Sequence, residues 1–382
     1  MIERFNIAVL RVYDYERSQT LAGGMERWCR DVALLARDKG YDVTIYQKDS
    51  ISFNRELTDG VRVVGVQCGP TWRSHLTFAR WIEKNTDIND PFLFVSMELA
   101  LTKMINRIAA IQHGICWEGD FPRYKKLINK YLQYKLINKL RGIICVDTNY
   151  INWCHAEYPN RVKWQHKLCY IPNYADPELF QAQPEPPKID NLPTILFPRR
   201  VFGSRTSSEG QRLERDSRGA GLLLNAVKIL KQEGTHVRVI FAGRGVLQND
   251  IGQWAQKHEM EDRISIVDVP LDKMPELYTK SHVAVIPSLE REGTSLSAIE
   301  AIMSGVPTVV SHIGGLGNIV IDGVNGFICD LTPESLAINI RRALEVHRLP
   351  VGPTLASFRD NLGKPRWENQ VWAHLSRWLE LK

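Results

Sequence analysis

Apolar residues along this chain fall in short buried-type runs separated by stretches of helical periodicity. Residues 5–12 read as a strand, 25–39 as a helix stopped by Gly40, and 43–46 as the next strand, which together make a βαβ unit. Further strands are predicted at 61–66, 92–95, 108–111 and 142–146, with helices fitting between most of them. The alternation predicts a mainly parallel sheet covered on both faces. A polar, proline-rich stretch at 181–193 then reads as a linker. Beyond it the pattern restarts, with strands at 194–197, 237–242, 264–267, 283–286, 308–311 and 326–329 and helices at 220–232, 247–257 and 274–280. The fold class is therefore α/β with two Rossmann-like halves. Ligands are expected at the carboxyl ends of the strands, in a cleft between the halves. Trp367, Val371, Trp372, Leu375 and Trp378 recur at helical spacing and predict a terminal amphipathic helix.

Composition narrows the class. A length of 382 residues with 44% hydrophobic content suits two ordinary packed domains. The seven cysteines are scattered without a Cys-x-x-Cys pair, which fits a reducing cytosol and gives no zinc or redox motif. No signal-peptide pattern and no window of eighteen apolar residues is present, so a soluble or peripheral protein is expected. The net charge of +6 is modest, but residues 121–146 hold no acidic residue while Arg123, Lys125, Lys126, Lys130, Lys135, Lys139 and Arg141 are basic. Two readings stand for this segment. Either it docks an apolar stripe on a sheet and leaves its lysines in water, or its basic face also contacts an anionic membrane. No nucleic-acid motif accompanies the charge.

The segment from Pro287 to Pro307 carries the most chemistry. It follows an apolar strand, turns through Gly293 and enters a helix predicted to start near Thr294. Such a turn aims free N–H groups and the positive helix end outward, a seat for phosphate formed by Gly293, Thr294, Ser295 and Leu296. Glu292 and Glu300 bracket that seat, a rise of about 12 Å if all of it is helical. Glu290 is a rival first carboxylate, but it lacks the following glycine. Ser288, Glu292-Gly293, Glu300-Ala301 and Gly305-Val306-Pro307 together resemble the nucleotide-sugar signature of the family-4 retaining glycosyltransferases, which have the two-domain GT-B fold.

The resemblance extends over most of the chain. Gly23 and Gly24, followed by Glu26, are similar to that family's Gly-Gly-x-Glu segment and imply backbone contact with donor phosphates. His113, at the end of a predicted strand, resembles the histidine that contacts the donor sugar, and Trp117, Glu118 and Asp120 after it are candidate acceptor contacts. Arg200 and Arg218 take the places of the family's diphosphate-binding Arg and Lys. This chain departs from the pattern with Arg199 in place of a glycine and an insertion at 202–217, read as a mobile surface loop or an acceptor-gating lid. Asn173-Tyr174 stands where the family has Asn-Gly, an architectural turn. Gly243-Arg244-Gly245 and Val267-Asp268 would border base and ribose, and Gly314 to Asn318 opens a further loop at the cleft.

The resemblance implies an acceptor domain at 1–185 with a C-terminal helix 365–382 crossing back to it, and a donor domain at 186–364. It implies a retaining, metal-independent transfer with no cofactor, from a nucleoside-diphosphate sugar, UDP preferred over GDP, to a saccharide or lipid-linked glycan in surface polysaccharide or lipopolysaccharide synthesis. His113, Arg200, Arg218 and Glu292 are the expected catalytic set, with Gly23, Gly24, Gly243, Gly293, Thr294, Ser295, Leu296 and Glu300 binding donor. The protein is expected in the cytoplasm, peripheral to the inner face of the cell membrane. The alternatives are a nucleotide-sugar epimerase or hydrolase on the same architecture, or a non-catalytic sugar-nucleotide-binding subunit.

Overall fold

The computed structural model describes residues 3–21, 23–57, 59–69, 73–115, 122–159, 164–183, 192–201, 212–350 and 352–382. Trp117, Glu118, Asp120 and insertion residues 202–211 lie outside these. The chain divides into two compact units, one of Met1–Ile171 with Glu368–Lys382 and one of Pro172–Trp367.

The first unit runs β1 (Arg4–Val9), β2 (Tyr13–Asp14), β3 (Gln19–Thr20), α1 (Gly24–Asp38), β4 (Asp42–Asp49), β5 (Phe53–Glu56), β6 (Arg62–Gln67), α2 (Arg73–Asn85) and β7 (Phe92–Phe94). It continues with β8 (Ile108–Gln112), α3 (Arg123–Lys139), β9 (Gly142–Cys145), α4 (Thr148–Glu157) and β10 (Leu168–Tyr170). Its main sheet has the order β10-β9-β8-β7-β1-β4-β6-β5. All neighbours in it are parallel except β5, which pairs antiparallel with β6. The strand order reverses between β1 and β7, so the loops leaving their carboxyl ends open onto the crevice where such sheets bind ligands. β5 escapes sequence detection because it is a short edge strand with mostly exposed polar residues.

The second unit holds β11 (Thr194–Phe197), α5 (Ala220–Gln232), β12 (Arg238–Ala242), α6 (Gln248–Lys257), β13 (Ile264–Val267), α7 (Met274–Thr279), β14 (Val283–Ile286) and α8 (Leu296–Met303). Then follow β15 (Thr308–Ser311), β16 (Phe327–Cys329), α9 (Pro333–Val346), α10 (Pro353–Leu362) and the start of α11 (Lys364–Leu379). Its sheet is parallel throughout, in the order β13-β12-β11-β14-β15-β16, with the reversal between β11 and β14. Alternate residues serve opposite layers, as the strand period of two requires. Ile195, Phe197, Val239, Phe241, Val283 and Val285 pack with α5, α6 and α9, whereas Leu196, Ala284 and Ile286 pack with α7, α8 and α10.

The terminal helix is held to the first unit at defined points. A Cβ at Gly142 would fall 1.9 Å from the Trp378 ring, so only glycine lets that ring approach β9. Arg107 donates from Nε to the Leu379 carbonyl at 2.8 Å and from Nη2 to the Glu380 carbonyl at 2.9 Å, satisfying orphan carbonyls of the last helical turn.

Two expectations need correction. The helix after Glu292 begins at Leu296, so only half of the span from Glu292 to Glu300 is helical and the 12 Å rise does not apply. Helix α3 docks through Gln133, Leu136 and Ile137, in its second half, and its first half leaves apolar side chains in solvent.

Candidate functional site

In the second unit the site forms where β11 and β14 end. After β11 the chain places Arg199 inward, where it is buried, and Arg200 outward, where it is exposed. After β14, Ser288 and Glu292 are both buried. The Arg199 guanidinium donates to Ser288 Oγ at 2.5 Å and pairs with Glu292 Oε2. Ser288 Oγ also donates to Glu292 Oε2, at 2.7 Å, and Arg218 Nη1 reaches the same oxygen at 3.4 Å. All three partners converge on Oε2, and Oε1 has none among the described residues. Burying a carboxylate is costly unless it is paired and hydrogen-bonded, and these three partners supply both.

Backbone geometry adds to the ion pairs in placing the carboxylate. Arg291 has φ 46°, a left-handed conformation uncommon outside glycine, immediately before Glu292. The Glu292 carbonyl accepts from Gly315 N–H at 2.8 Å, and a Cβ at Gly314 would lie 1.8 Å from that oxygen. Gly314, at φ 60°, therefore has a packing reason to be glycine. This loop is a short 3₁₀ turn, Gly314–Asn318, that clamps Glu292.

Arg218 is presented by the approach to α5. Buried Asp216 accepts from Ala220 N–H at 2.9 Å and from Arg218 N–H at 3.2 Å, capping the helix start. Burial pushes the Asp216 carboxyl up despite those bonds and its arginine neighbours. Gly219, at φ 84°, seats this turn on the Pro287 carbonyl, 2.0 Å from where a Cβ would stand. The end of the insertion is thus packed structure and not a loose loop, since Leu213 joins the core and the Ser217 carbonyl accepts from Leu289 N–H at 2.9 Å.

Gly243 and Gly245 press on the backbone of Arg199 to Val201, where a Cβ at Gly245 would fall 1.9 Å from the Val201 carbonyl oxygen. The Gly-x-Gly segment therefore supports the strand end that carries both arginines. Thr294 is fully buried, and its hydroxyl accepts from Asn173 N–H at 2.8 Å. Asn173 Nδ2 also donates to the Thr294 carbonyl at 2.5 Å, so the Thr294 side chain already serves the Asn173 turn. Ser295 is the N-cap of α8 without a side-chain cap bond. Glu300 is buried and accepts from Tyr278 Oη at 3.1 Å. Tyr174, in the place of a glycine, does not have positive φ, and its buried ring lies 3.9 Å from that of Trp367.

In the first unit, Gly23 is the N-cap of α1 and Gly24 its first residue, at the carboxyl side of β1. Glu26 lies in the first turn and Trp28 one turn on, its ring edge-on to His113 at 6.2 Å. Burial lowers His113 to a pKa of about 4, partly offset by its bond to the Val95 backbone, so the ring is neutral at pH 7. Its Nε2 is buried without a hydrogen-bond partner among the described residues. Gly23, Gly24 and His113 thus gather at one end of one sheet.

Sequence reading does not single out Arg199 as the partner of Glu292: adjacent arginines alternate in direction, and the inward one makes the pair while Arg200 faces outward. No group of three or more His, Cys, Asp or Glu suited to a metal ion occurs among the described residues.

Residues 211–354 match the family model described as glycosyl transferases group 1. A galactosyltransferase of Escherichia coli, UDP-Gal:alpha-D-GlcNAc-diphosphoundecaprenol alpha-1,3-galactosyltransferase, is 24% identical over 84% of each chain. The chain spans only 45, 38 and 33% of the length of three other curated relatives that it matches. Among solved structures, sucrose-phosphate synthase from Thermosynechococcus elongatus superposes with TM-score 0.73 at 16% identity, covering 99% of both chains. HepE of Anabaena in complex with UDP-glucose gives TM-score 0.70 at 16% identity, over 98% of this chain and 99% of that one. Within the second unit the chain thus resembles the group 1 glycosyl transferases, and over its whole length it has the GT-B fold of these solved structures.

Proposed function

We propose that the chain is a retaining glycosyltransferase that moves a sugar from a nucleoside-diphosphate donor to a hydroxyl of a saccharide or lipid-linked glycan. The observation that carries this reading is the convergence of Arg199, Ser288 and Arg218 on Glu292 Oε2 at the switch point of the second sheet. That arrangement holds one carboxylate oxygen rigidly and leaves the other able to accept hydrogen bonds from sugar hydroxyls. Arg200, Arg218 and the start of α8 would meet the diphosphate, and Glu300 the ribose. As the bond from the anomeric carbon to the diphosphate breaks, the acceptor oxygen forms its bond on the same face. The departing diphosphate takes the acceptor proton. Fixed positive groups aimed at the leaving oxygens lower such a barrier, because charge grows there in the transition state.

UDP is the preferred donor nucleotide, since the Escherichia coli relative is named for UDP-Gal and the HepE structure holds UDP-glucose. That relative's name also includes a diphosphoundecaprenol acceptor, which supports a lipid-linked glycan here and a place at the inner face of the cell membrane. Surface polysaccharide or lipopolysaccharide synthesis is the process such an acceptor serves. No helix among the described residues is long and apolar enough to cross a membrane, so membrane contact would be peripheral.

A thermal-shift screen of nucleotide sugars tests donor binding, because a ligand held only by the folded state raises apparent stability. Stabilisation by one UDP-sugar is expected. Product analysis with and without acceptor then separates transfer from the alternatives: sugar released on water marks a hydrolase, and an altered nucleotide sugar marks an epimerase. Stabilisation with no turnover of any kind would mark a binding subunit.

A further inference from the structure

The first half of α3 exposes a row of large apolar side chains. Tyr124, Leu127, Ile128 and Tyr131 are 60, 67, 55 and 59% exposed. They stand at i, i+3, i+4 and i+7 and so share one face of the helix. Single exposed apolar residues need no explanation, but four on three successive turns form a patch. Residues 121–146 contain no acidic residue, so every charge that the helix itself carries is positive. Arg123 and Lys135 are exposed at either end of the row, and Lys135 Nζ sits 5.3 Å above the Tyr131 ring. Lys130 faces elsewhere, paired with Glu157 and over the Tyr158 ring. The helix thus has a docked second half and a first half that is apolar along its crest and basic beside it.

We infer that this half of α3 seats the protein on an anionic phospholipid bilayer, with Leu127 and Ile128 entering the acyl boundary and the tyrosines at headgroup level. The inference rests on the lipid-linked acceptor reading and names the surface that would bring the enzyme to it. A bilayer with acidic headgroups complements both components at once, apolar matter below and negative charge at the rim. A purely electrostatic contact would not need the leucine and isoleucine.

Flotation with vesicles of phosphatidylcholine, with or without phosphatidylglycerol, tests this without donor or acceptor present. Wild type should float with the anionic vesicles and far less with neutral ones. Added salt should remove part of the binding but not all of it, since screening does not act on the apolar component. Leu127→Ser with Ile128→Ser should lower partitioning by about tenfold or more. Arg123→Gln with Lys135→Gln should reduce the preference for anionic vesicles. Both pairs change exposed side chains, and transfer to a short soluble acceptor should persist in each. The double serine variant floating like wild type would overturn the proposal. So would light scattering that shows a wild-type dimer broken by the serines, with no vesicle binding. Flotation by a wild type that transfers no sugar would instead refute the enzymatic reading and leave the patch standing.

Discussion

Arg199 and Glu292, 93 residues apart in sequence, meet as a buried ion pair at the point where β11 and β14 diverge. Breaking such a pair on one side leaves an uncompensated buried charge, which costs roughly 3–5 kcal/mol, whereas replacing both members by apolar groups is often neutral. Arg199→Met alone should therefore destabilise the second unit by about that much. Arg199→Met with Glu292→Met should recover most of the loss while abolishing activity. Urea titration of the two single variants and the double measures the coupling. Additive losses would mean that the pair does not couple the strand ends.

Arg218 is the member of the network whose removal spares the anchor, because Glu292 keeps Arg199 and Ser288. Arg218→Ala should depress turnover by about 10²–10³ and change donor affinity less, as expected for a group that stabilises charge on the leaving diphosphate. A raised KM with unchanged kcat would make it a ground-state binding residue.

Glu300 is held by Tyr278 and buried on α8. Glu300→Ala should weaken donor binding by roughly 1.5–3 kcal/mol if the carboxylate accepts from ribose hydroxyls. Tyr278→Phe, which removes one donor to the carboxylate, should cost less. Calorimetric titration with a nucleotide sugar decides it: wild-type affinity in a folded Glu300→Ala protein would refute the ribose assignment.

EDTA should leave transfer unchanged, because arginines and a helix start can balance the diphosphate without a divalent ion. Loss of activity that magnesium or manganese restores would require a different leaving-group mechanism.

What the sequence revealed and what it hid divide along a physical line. The βαβ alternation is local, and so are the strands, whose runs from Thr194–Phe197 to Phe327–Cys329 lie within a residue or two of the expected bounds. The glycine and proline frame around Glu292 is local as well. The partner of Glu292 is not. It depends on β11 lying beside β14, which strand order decides and periodicity does not. Likewise the heptad-like spacing in α3 announces an apolar stripe but not what covers it, and only the packing separates buried Leu136 and Ile137 from exposed Leu127 and Ile128. Thr294 shows the same limit, since the contact of its hydroxyl with the Asn173 N–H joins residues 121 positions apart.

His113 makes the most demanding prediction. Its folded-state pKa of about 4 lies below the ordinary 6.5, so between those values the unfolded chain binds more protons than the folded one. Stability from this residue is complete above about pH 6.5 and falls as the pH drops toward 4, by at most about 3 kcal/mol. His113→Gln should flatten that part of the profile in thermal denaturation between about pH 4 and 7. Donor affinity supplies the second readout. A neutral ring whose Nε2 accepts a sugar hydroxyl predicts an affinity constant from about pH 5.5 to 8, lowered at every pH in His113→Phe. An affinity that titrates near pH 6.5 would mean that the ring is hydrated and charges at its ordinary value, and the assignment of Nε2 as a buried acceptor at the sugar would fail.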